Sequence, residues 1–195
     1  MAKPKVGIIG DGNVGSALRE GLTRAGYEAR ACGKEPEKVR EVARWGEALV
    51  LAVPFQERES AIRAMGGAHR GKPLVDVTNA ITSDHAFAVE PTRESGAEQL
   101  QRMAEGAKVV KAFNTVFAPH MSTGRVNGER LTLFVAGDDQ EAKDVVRDMG
   151  RDIGFDAIDS GPLRNARWME TLGYFNIQLG YTQKLGPNIG FRLVH

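Results

Sequence analysis

The residues that point most clearly to chemistry are three glycines in a turn near the N-terminus. Gly10, Gly12 and Gly15 follow the apolar run Val6–Ile9 and open the amphipathic segment Asn13–Ala25. In such a turn the first glycine permits a tight bend, the second lets the backbone approach a pyrophosphate, and the third allows close helix–strand packing. The free amides and the dipole at the helix start then face the anion. This context predicts a dinucleotide-binding turn rather than a purely structural glycine-rich loop.

The end of the second predicted strand bears on the choice between NAD and NADP. An NAD site usually has an acidic residue there, which hydrogen-bonds the ribose hydroxyls. This chain has Ala-Cys-Gly-Lys at residues 31–34, with Lys38 one helical turn further on. A small residue followed by cations suits the 2′-phosphate of NADP, and the missing acid favours NADP. The alternative is that the lysines are simply solvated beside Glu35 and Glu37. Cys32 is interpreted as a small strand residue near the adenosine rather than a redox thiol.

No side chains form a recognisable acid–base pair, nucleophile arrangement or metal-ligand cluster. The four histidines are scattered along the chain, at His69, His85, His120 and His195. Hydroxy-acid dehydrogenases need a proton donor or acceptor beside the substrate hydroxyl. We therefore predict no catalytic side chain and no metal site. Hydride transfer between two stacked redox cofactors fits better, because the protein then contributes only alignment and exclusion of water.

Short apolar runs alternate with helical stretches along the chain. The predicted strands are Val6–Ile9, Tyr27–Cys32, Ala48–Val53, Leu74–Val77, Val109–Phe113, Leu131–Val135 and Phe155–Ile158. The predicted helices are Asn13–Ala25, Pro36–Arg44, Thr92–Ala107, Glu141–Ile153 and Asn165–Leu185. This alternation predicts an α/β fold with a Rossmann-type, doubly wound, mostly parallel sheet. We expect residues 1–160 to form an NADP-binding domain and residues 161–195 to form a short C-terminal helical appendage that closes the site.

Size, composition and charge restrict the class of protein. A chain of 195 residues suits one domain, and 42% hydrophobic with 26% charged residues is ordinary for a globular protein. A net charge of +1, from 26 basic and 25 acidic residues, creates no field that would attract nucleic acid or a membrane. The single cysteine excludes an internal disulfide. The first apolar run is too short for a signal peptide or a membrane span, so we expect a cytoplasmic protein.

Three segments together resemble one family of enzymes. They are Ile9–Ser16 (IGDGNVGS), Val110–Val116 (VKAFNTV) and Gly161–Arg167 (GPLRNAR), the last followed by Glu170 and Leu172. The first segment is common to many dehydrogenases, whereas the second and third, in that order and at that distance, are much more specific. On these residues the chain resembles the F420-dependent NADP oxidoreductases and their bacterial relatives. That group is also similar to the cytosolic reductase domain of the STEAP metalloreductases.

The resemblance implies a coenzyme site at the carboxyl ends of the strands. Its residues would be Gly10, Asp11, Gly12, Asn13, Val14 and Gly15 at the pyrophosphate, Gly33, Lys34 and Lys38 at the 2′-phosphate, Val53, Pro54 and Phe55 beside the nicotinamide, and Asn79, Asn114 and Thr115 in the same crevice. A deazaflavin (coenzyme F420) or a flavin (FMN or FAD) would stack over the nicotinamide. The resemblance thus implies hydride transfer between NADP(H) and that acceptor, in a homodimer.

Two features depart from the family's pattern. Asp11 replaces a small or hydroxyl residue, and because a carboxylate repels a pyrophosphate we expect its side chain to point away, leaving only its backbone to contribute. Glu57, Arg58 and Glu59 are expected to form a charged rim where a flat ring must dock.

The segment that begins at Gly161 has two interpretations. It is either a Gly-Pro turn before an Asn-capped helix, with Arg164 and Arg167 paired to acids, or a place where the two arginines bind an anionic coenzyme tail.

Other functions are also compatible with the sequence. A flavin or ferric-type reductase would use NADPH and pass electrons through a loosely bound flavin to a metal or quinone. A non-catalytic NADP(H)-binding sensor would bind the coenzyme tightly without turnover. A substrate-reducing enzyme could form its active site between subunits.

Overall fold

A sheet of seven strands forms the centre of the computed structural model, which describes residues 3–82 and 86–194. Along the chain the strands are β1 (Val6–Ile9), β2 (Ala29–Cys32), β3 (Ala48–Leu51), β4 (Pro73–Asp76), β5 (Lys108–Lys111), β6 (Arg125–Val126), β7 (Glu129–Arg130), β8 (Thr132–Gly137) and β9 (Asp156–Asp159). The short strands β6 and β7 form a separate antiparallel hairpin. Each strand of the main sheet lies within two residues of its predicted bounds.

Seven α-helices accompany the strands in the described residues. They are α1 (Asn13–Arg24), α2 (Pro36–Trp45), α3 (Arg58–Met65), α4 (Gly96–Met103), α5 (Ala118–Met121), α6 (Gln140–Ile153) and α7 (Ala166–Ile177). A π-helical turn, Gln178–Thr182, continues α7. Within residues 3–82 and 86–194, no helix has both the length and the apolar character needed to cross a bilayer.

The order of the strands places a crevice beside β1. The sheet runs β2-β1-β3-β4-β5-β8-β9, and all neighbours are parallel except β5 and β8, which are antiparallel. From β1 the chain first passes to one side, to β2, and later returns on the other side as β3. In doubly wound sheets ligands bind outside the carboxyl ends of the strands at such a reversal.

Both faces of the sheet are buried at β1 and β3, which explains why these strands are unbroken apolar runs. Ile8 packs in a cluster with Leu18 of α1 and Val146 of α6. Its neighbour Ile9 points to the opposite face and packs with Val39 of α2. Successive residues of a strand alternate between faces, so helices on both sides require apolar residues throughout. The predicted α/β, doubly wound and mostly parallel fold is therefore confirmed.

Four helices differ from the predictions, one of them the short α5, for which no helix was predicted. The sequence interpretation omitted α3 altogether, although Ala61, Ile62 and Met65 lie on its buried face at helical spacing. The helix predicted from residue 92 begins only at Gly96, because Ser95 accepts a hydrogen bond from the Glu98 amide and completes a capping box. The predicted helix 165–185 is α-helical only over residues 166–177.

Asn165 does not cap α7. Its side-chain Nδ2 donates to the carbonyl oxygen of Ser160 at 2.6 Å, and no side-chain cap hydrogen bond is present at the start of the helix. The prediction of an Asn-capped helix is therefore wrong, because the asparagine closes the preceding turn instead.

Candidate functional site

Three glycines shape the turn between β1 and α1, each for a different steric reason. Gly10 has a φ of +113°, and a Cβ there would lie 2.2 Å from the carbonyl oxygen of Ala52. A Cβ on Gly15 would lie 1.9 Å from the carbonyl oxygen of Gly10, so only glycine lets α1 approach the strand. Gly12 has a φ of −69°, and a Cβ there would meet no described atom within 4 Å. Gly12 therefore borders open space.

The start of α1 offers a cradle for an anion. The amides in the first turn of a helix have no acceptor within the helix, and its dipole makes this end positive. Gly12 is the N-cap and supplies no side chain to those amides, and the first turn contains no acidic residue. Ser16 Oγ donates to the carbonyl oxygen of Asp11 at 2.9 Å, which steadies the turn. The open space at Gly12 therefore fits a pyrophosphate.

Two carboxylates approach Gly33 at the carboxyl end of β2. A Cβ on Gly33 would lie 3.0 Å from Glu35 Oε2 and 3.4 Å from Asp11 Oδ2. The Asp11 side chain is thus directed toward β2. Residues 31–34 contain no acid, but carboxylates reach this end of the strand from the neighbouring turn and from the start of α2.

A narrow slot with a mostly apolar lining lies beside this strand end. The slot has a volume of about 90 Å³ and is lined by Ile9, Lys34, Pro36, Val39, Val53, Glu57, Ser60, Ala61 and Ala64. Cys32 is buried next to it, and burial together with the nearby Asp11 carboxylate raises the pKa of its thiol. A thiol held protonated in this way is a poor nucleophile, which agrees with its interpretation as a small strand residue.

A wider cleft of about 500 Å³ opens at the carboxyl ends of β1, β3 and β4. It is lined by Gly12, Asn13, Val14, Ala52, Val53, Pro54, Phe55, Gln56, Val77, Thr78, Asn79, Ile81 and Thr82. The structure therefore brings the predicted pyrophosphate and nicotinamide residues together along one wall. The lining also contains residues that were not predicted and whose signal was only their nearness in sequence to predicted ones: Ala52, Gln56, Val77, Thr78, Ile81 and Thr82. A larger depression of about 850 Å³ lies between α1 and α5 and shares Asn13 with the cleft.

Arg58 is not part of a charged rim. It is buried, and its guanidinium lies 3.6 Å from the centroid of the Phe55 ring. It donates to the carbonyl oxygens of Gly96 at 2.7 Å and Phe55 at 3.0 Å. The prediction that Glu57, Arg58 and Glu59 form a charged rim is therefore wrong for Arg58, which is buried and packs against the Phe55 ring.

Asn79 and Asn114 form a pair between the cleft and α7. The Asn114 amide nitrogen donates to Asn79 Oδ1 at 3.0 Å and to the carbonyl oxygen of Met169 at 2.8 Å. Asn79 lines the cleft, whereas Asn114 and Thr115 are buried behind it. A Cβ on Gly173 would lie 2.5 Å from Asn79 Oδ1, so α7 packs directly on this pair.

Comparison with known proteins agrees with this geometry. The sequence profile described as "NADP oxidoreductase coenzyme F420-dependent" matches residues 5–80. The chain is 30% identical over 184 residues to the F420-dependent NADP reductase of Methanocaldococcus jannaschii, an alignment that covers 91% of this chain and 79% of that protein. The chain belongs to the F420-dependent NADP reductase family. The resemblance inferred from the three sequence segments is thereby confirmed.

Two further proteins are similar to this chain over most of its length. A crystal structure of a proposed F420-dependent NADP reductase from Arthrobacter sp. FB24 matches with a TM-score of 0.88 and 28% identity, covering 98% of this chain and all of that one. The chain is also 30% identical over 181 residues to Metalloreductase STEAP3 of Rattus norvegicus. That alignment covers 87% of this chain but only 36% of STEAP3, so the chain spans about a third of that relative.

A buried network of charged residues connects Val110–Val116 with the helix that follows Gly161–Arg167, the two segments most specific to the family. Lys111, from the second segment, is fully buried, and its Nζ lies 2.9 Å from Glu170 and 3.0 Å from Asp76. Glu170, which follows the third segment, also accepts from the amides of Gly96 and Ala97. Burial would raise the pKa of Asp76, but the positive charges of Lys111 and Arg58 together with two hydrogen bonds from Thr78 lower it. These residues join β4, β5, α4 and α7 beneath the cleft.

Arg167 pairs with an acid, as one of its two interpretations predicts. It donates to both oxygens of Glu98, at 2.7 and 2.8 Å. Burial would raise the pKa of Glu98, but the hydrogen bonds from Arg167 and Ser95 lower it to about 2. Arg167 therefore ties α7 to α4.

The described histidines show no catalytic arrangement. His69 is buried, and burial lowers its pKa. His120 Nε2 lies 3.0 Å from the carbonyl oxygen of Pro187. His85 and His195 lie outside the described residues. Within the described part of the chain no three His, Cys, Asp or Glu side chains are grouped so that they could hold a metal ion.

Proposed function

We propose that this chain transfers hydride between NADP(H) and the deazaflavin coenzyme F420. The observation that carries the proposal is the open cradle at Gly12, which leads directly into the 500 Å³ cleft lined by Val53, Pro54 and Phe55. Family membership supplies the coenzyme pair. When bound, the nicotinamide and the deazaflavin supply the hydride donor and acceptor themselves, so no acid or base is required of the protein.

The chain's own residues would bind and align the coenzyme. The amides at the start of α1 would hold the pyrophosphate, together with the backbone of Gly10–Gly15. The slot beside Val39 would take the adenine, and Gly33, Lys34 and Lys38 would face the 2′-phosphate.

The nicotinamide end would be held by apolar and amide groups. Val53, Pro54 and Phe55 would form an apolar wall that excludes water, and Asn79 would offer a polar contact. Asn114 and Thr115 would support Asn79 from behind. Within this scheme residues 1–160 form the coenzyme-binding domain and residues 161–195 close one side of it, through the packing of Gly173 on the asparagine pair.

The assignment of the 2′-phosphate gives a direct prediction. Lys34→Glu combined with Lys38→Ala should weaken NADPH binding by about 10- to 100-fold, because two charge-assisted contacts, which solvent screens at these exposed lysines, are lost. NADH lacks the 2′-phosphate, so its binding should change by less than about threefold. Calorimetric titration with both coenzymes makes the comparison. An equal loss for the two coenzymes would refute the assignment.

The hydride acceptor can be identified in one experiment. The purified protein is mixed anaerobically with NADPH and, in separate cuvettes, with coenzyme F420, FMN or FAD, and the absorbance of each acceptor is followed. NADPH-dependent bleaching of F420 supports the proposal. A matched reaction with Gly12→Val should show no bleaching. Binding of NADPH without reduction of any acceptor would favour a non-catalytic NADP(H) sensor.

The similarity to STEAP3 favours a second candidate function. In this alternative the chain would be a flavin or ferric-type reductase that uses NADPH and releases a reduced flavin. Turnover with FMN or FAD but not with F420, in the same anaerobic assay, would select it. Addition of ferric citrate should then sustain NADPH oxidation only when the flavin is present.

An exposed apolar stripe on α7 supports the expectation of a homodimer. Trp168 and Phe175 are 61% and 53% exposed, and Leu172 and Leu179 lie between and beyond them at intervals of four, three and four residues. That spacing places Trp168, Leu172 and Phe175 on one side of α7, and Leu179 follows in the π-helical turn. Such an exposed stripe is typical of a contact surface. We propose that a second copy covers it. The cytoplasmic location of the protein is likewise a prediction.

Charge on the stripe should dissociate the dimer. Trp168→Glu with Phe175→Glu is expected to convert the protein to a monomer at about 10 µM, because two unpaired charges would enter the apolar contact. Light scattering after size exclusion measures the mass. Leu193→Glu replaces an exposed apolar residue outside the stripe and should leave the dimer intact. A wild-type monomer at that concentration would contradict the proposal.

A further inference from the structure

The ribose end of the coenzyme site contains charges of both signs. Three carboxylate oxygens surround one point at the end of β2. A Cβ on Gly33 would lie 3.0 Å from Glu35 Oε2, 3.4 Å from Asp11 Oδ2 and 3.7 Å from Asp11 Oδ1. Both acidic side chains are exposed to solvent and therefore accessible to a ligand.

The lysines at this end do not neutralise those carboxylates by direct contact. Lys34 borders the apolar slot, and Lys38 follows in the first turn of α2. Among the residues that the structure describes, neither lysine comes within 4.0 Å of an acidic oxygen. A coenzyme therefore meets separate donors and acceptors here.

The two kinds of charge favour different coenzymes. A carboxylate near the adenosine ribose accepts hydrogen bonds from the 2′- and 3′-hydroxyls of NAD(H), and it repels the 2′-phosphate of NADP(H). An ammonium group attracts that phosphate. The position of the site itself rests on the glycine turn and the apolar slot, and the carboxylates bear only on the choice between coenzymes.

We propose that Asp11 and Glu35 are specificity-determining residues that allow this chain to bind NADH within about tenfold of its affinity for NADPH. Asp11 reaches the ribose from the pyrophosphate turn, and Glu35 reaches it from the start of α2. Lys34 and Lys38 retain the 2′-phosphate. This inference rests on the coenzyme site of the proposed function and defines which dinucleotides that site accepts.

The test compares the two coenzymes on one set of variants. NADPH and NADH are titrated calorimetrically into the wild type, into Asp11→Asn with Glu35→Gln, and into Glu35→Gln alone. In the double variant NADPH should bind more tightly and NADH more weakly, each by about fivefold, so that the preference for NADPH rises by at least about tenfold. The single variant should show a smaller change in the same direction.

Glu37→Gln is the matched control. It removes the same charge from the first turn of the same helix, but Glu37 lies on the outer face of α2 beside Arg40 and Arg44. The preference of this variant should equal that of the wild type. Melting temperatures of all variants establish that the exposed substitutions leave the fold intact.

The outcomes separate this inference from the proposed function. A wild type that prefers NADPH by more than about 100-fold overturns the inference, as does an unchanged preference in the double variant. Binding of both coenzymes without reduction of F420 overturns the proposed function, while the measured preference still decides the inference. Failure to bind either coenzyme overturns both.

Discussion

Gly12→Val should abolish NADPH binding while the protein remains folded. A Cβ at this position meets no described atom within 4 Å, and the φ of −69° is one that valine adopts readily. The new side chain would occupy the space above the first amides of α1 and exclude the pyrophosphate. Loss of two charge-assisted hydrogen bonds, each worth about 1.5–3 kcal/mol, should weaken binding by at least about 100-fold. Calorimetric titration with NADPH measures the loss.

The same substitution two residues earlier serves as the contrast. Gly10→Val places a side chain against the carbonyl group of Ala52 and requires a φ of +113°, so it should prevent normal folding. Gly12→Val should lower the melting temperature, because valine is a poorer N-cap residue than glycine. The decrease should be small, because the new side chain meets no described atom. A folded Gly12→Val protein that binds NADPH with normal affinity would remove this turn from the coenzyme site.

Lys111→Met should lower the free energy of unfolding by about 3–5 kcal/mol. Lys111 is fully buried, and its removal leaves the carboxylates of Asp76 and Glu170 without their shared cation. Loss of this cation from between two buried carboxylates is far more costly than the loss of packing, since methionine nearly matches the length of the lysine stem. Equilibrium unfolding in urea, followed by far-ultraviolet circular dichroism, measures the change.

Lys108 on the same strand provides a matched control for this prediction. It is partly exposed and pairs with Asp139 at 2.9 Å near the surface. Lys108→Met should therefore change the stability little, because solvent screens such pairs. Adding Asp76→Asn and Glu170→Gln to Lys111→Met should recover part of the lost stability. A loss of less than about 1 kcal/mol in the single variant would show that the network is not needed for folding.

The strands and the glycine turn could be predicted because their signals are local. The central strands β1 and β3 are short apolar runs, and the turn is encoded by Gly10, Gly12 and Gly15 within six consecutive residues. The antiparallel pairing of β8 with β5 could not be derived in this way. It depends on the hairpin and the short helix between them, which the sequence signals only weakly.

The charged parts of the site were harder to predict because pairing is decided in three dimensions. Arg58 reads as a surface residue between two glutamates, yet it is buried against the Phe55 ring. Asp11 is distant in sequence from Gly33, so its approach to the end of β2 becomes visible only in the structure. The partnership of Lys111 with Glu170, 59 positions apart in the sequence, has the same origin.

Helix α7 touches the asparagine pair through Gly173 on one side and carries Trp168 and Phe175 on the other. A shift of this helix on assembly would therefore reach Asn79, and a shift on coenzyme binding would reach the outer stripe. Because coupling between two binding equilibria is reciprocal, any factor by which self-association strengthens coenzyme binding must also strengthen self-association when the coenzyme is bound. The apparent coenzyme affinity would then rise with protein concentration.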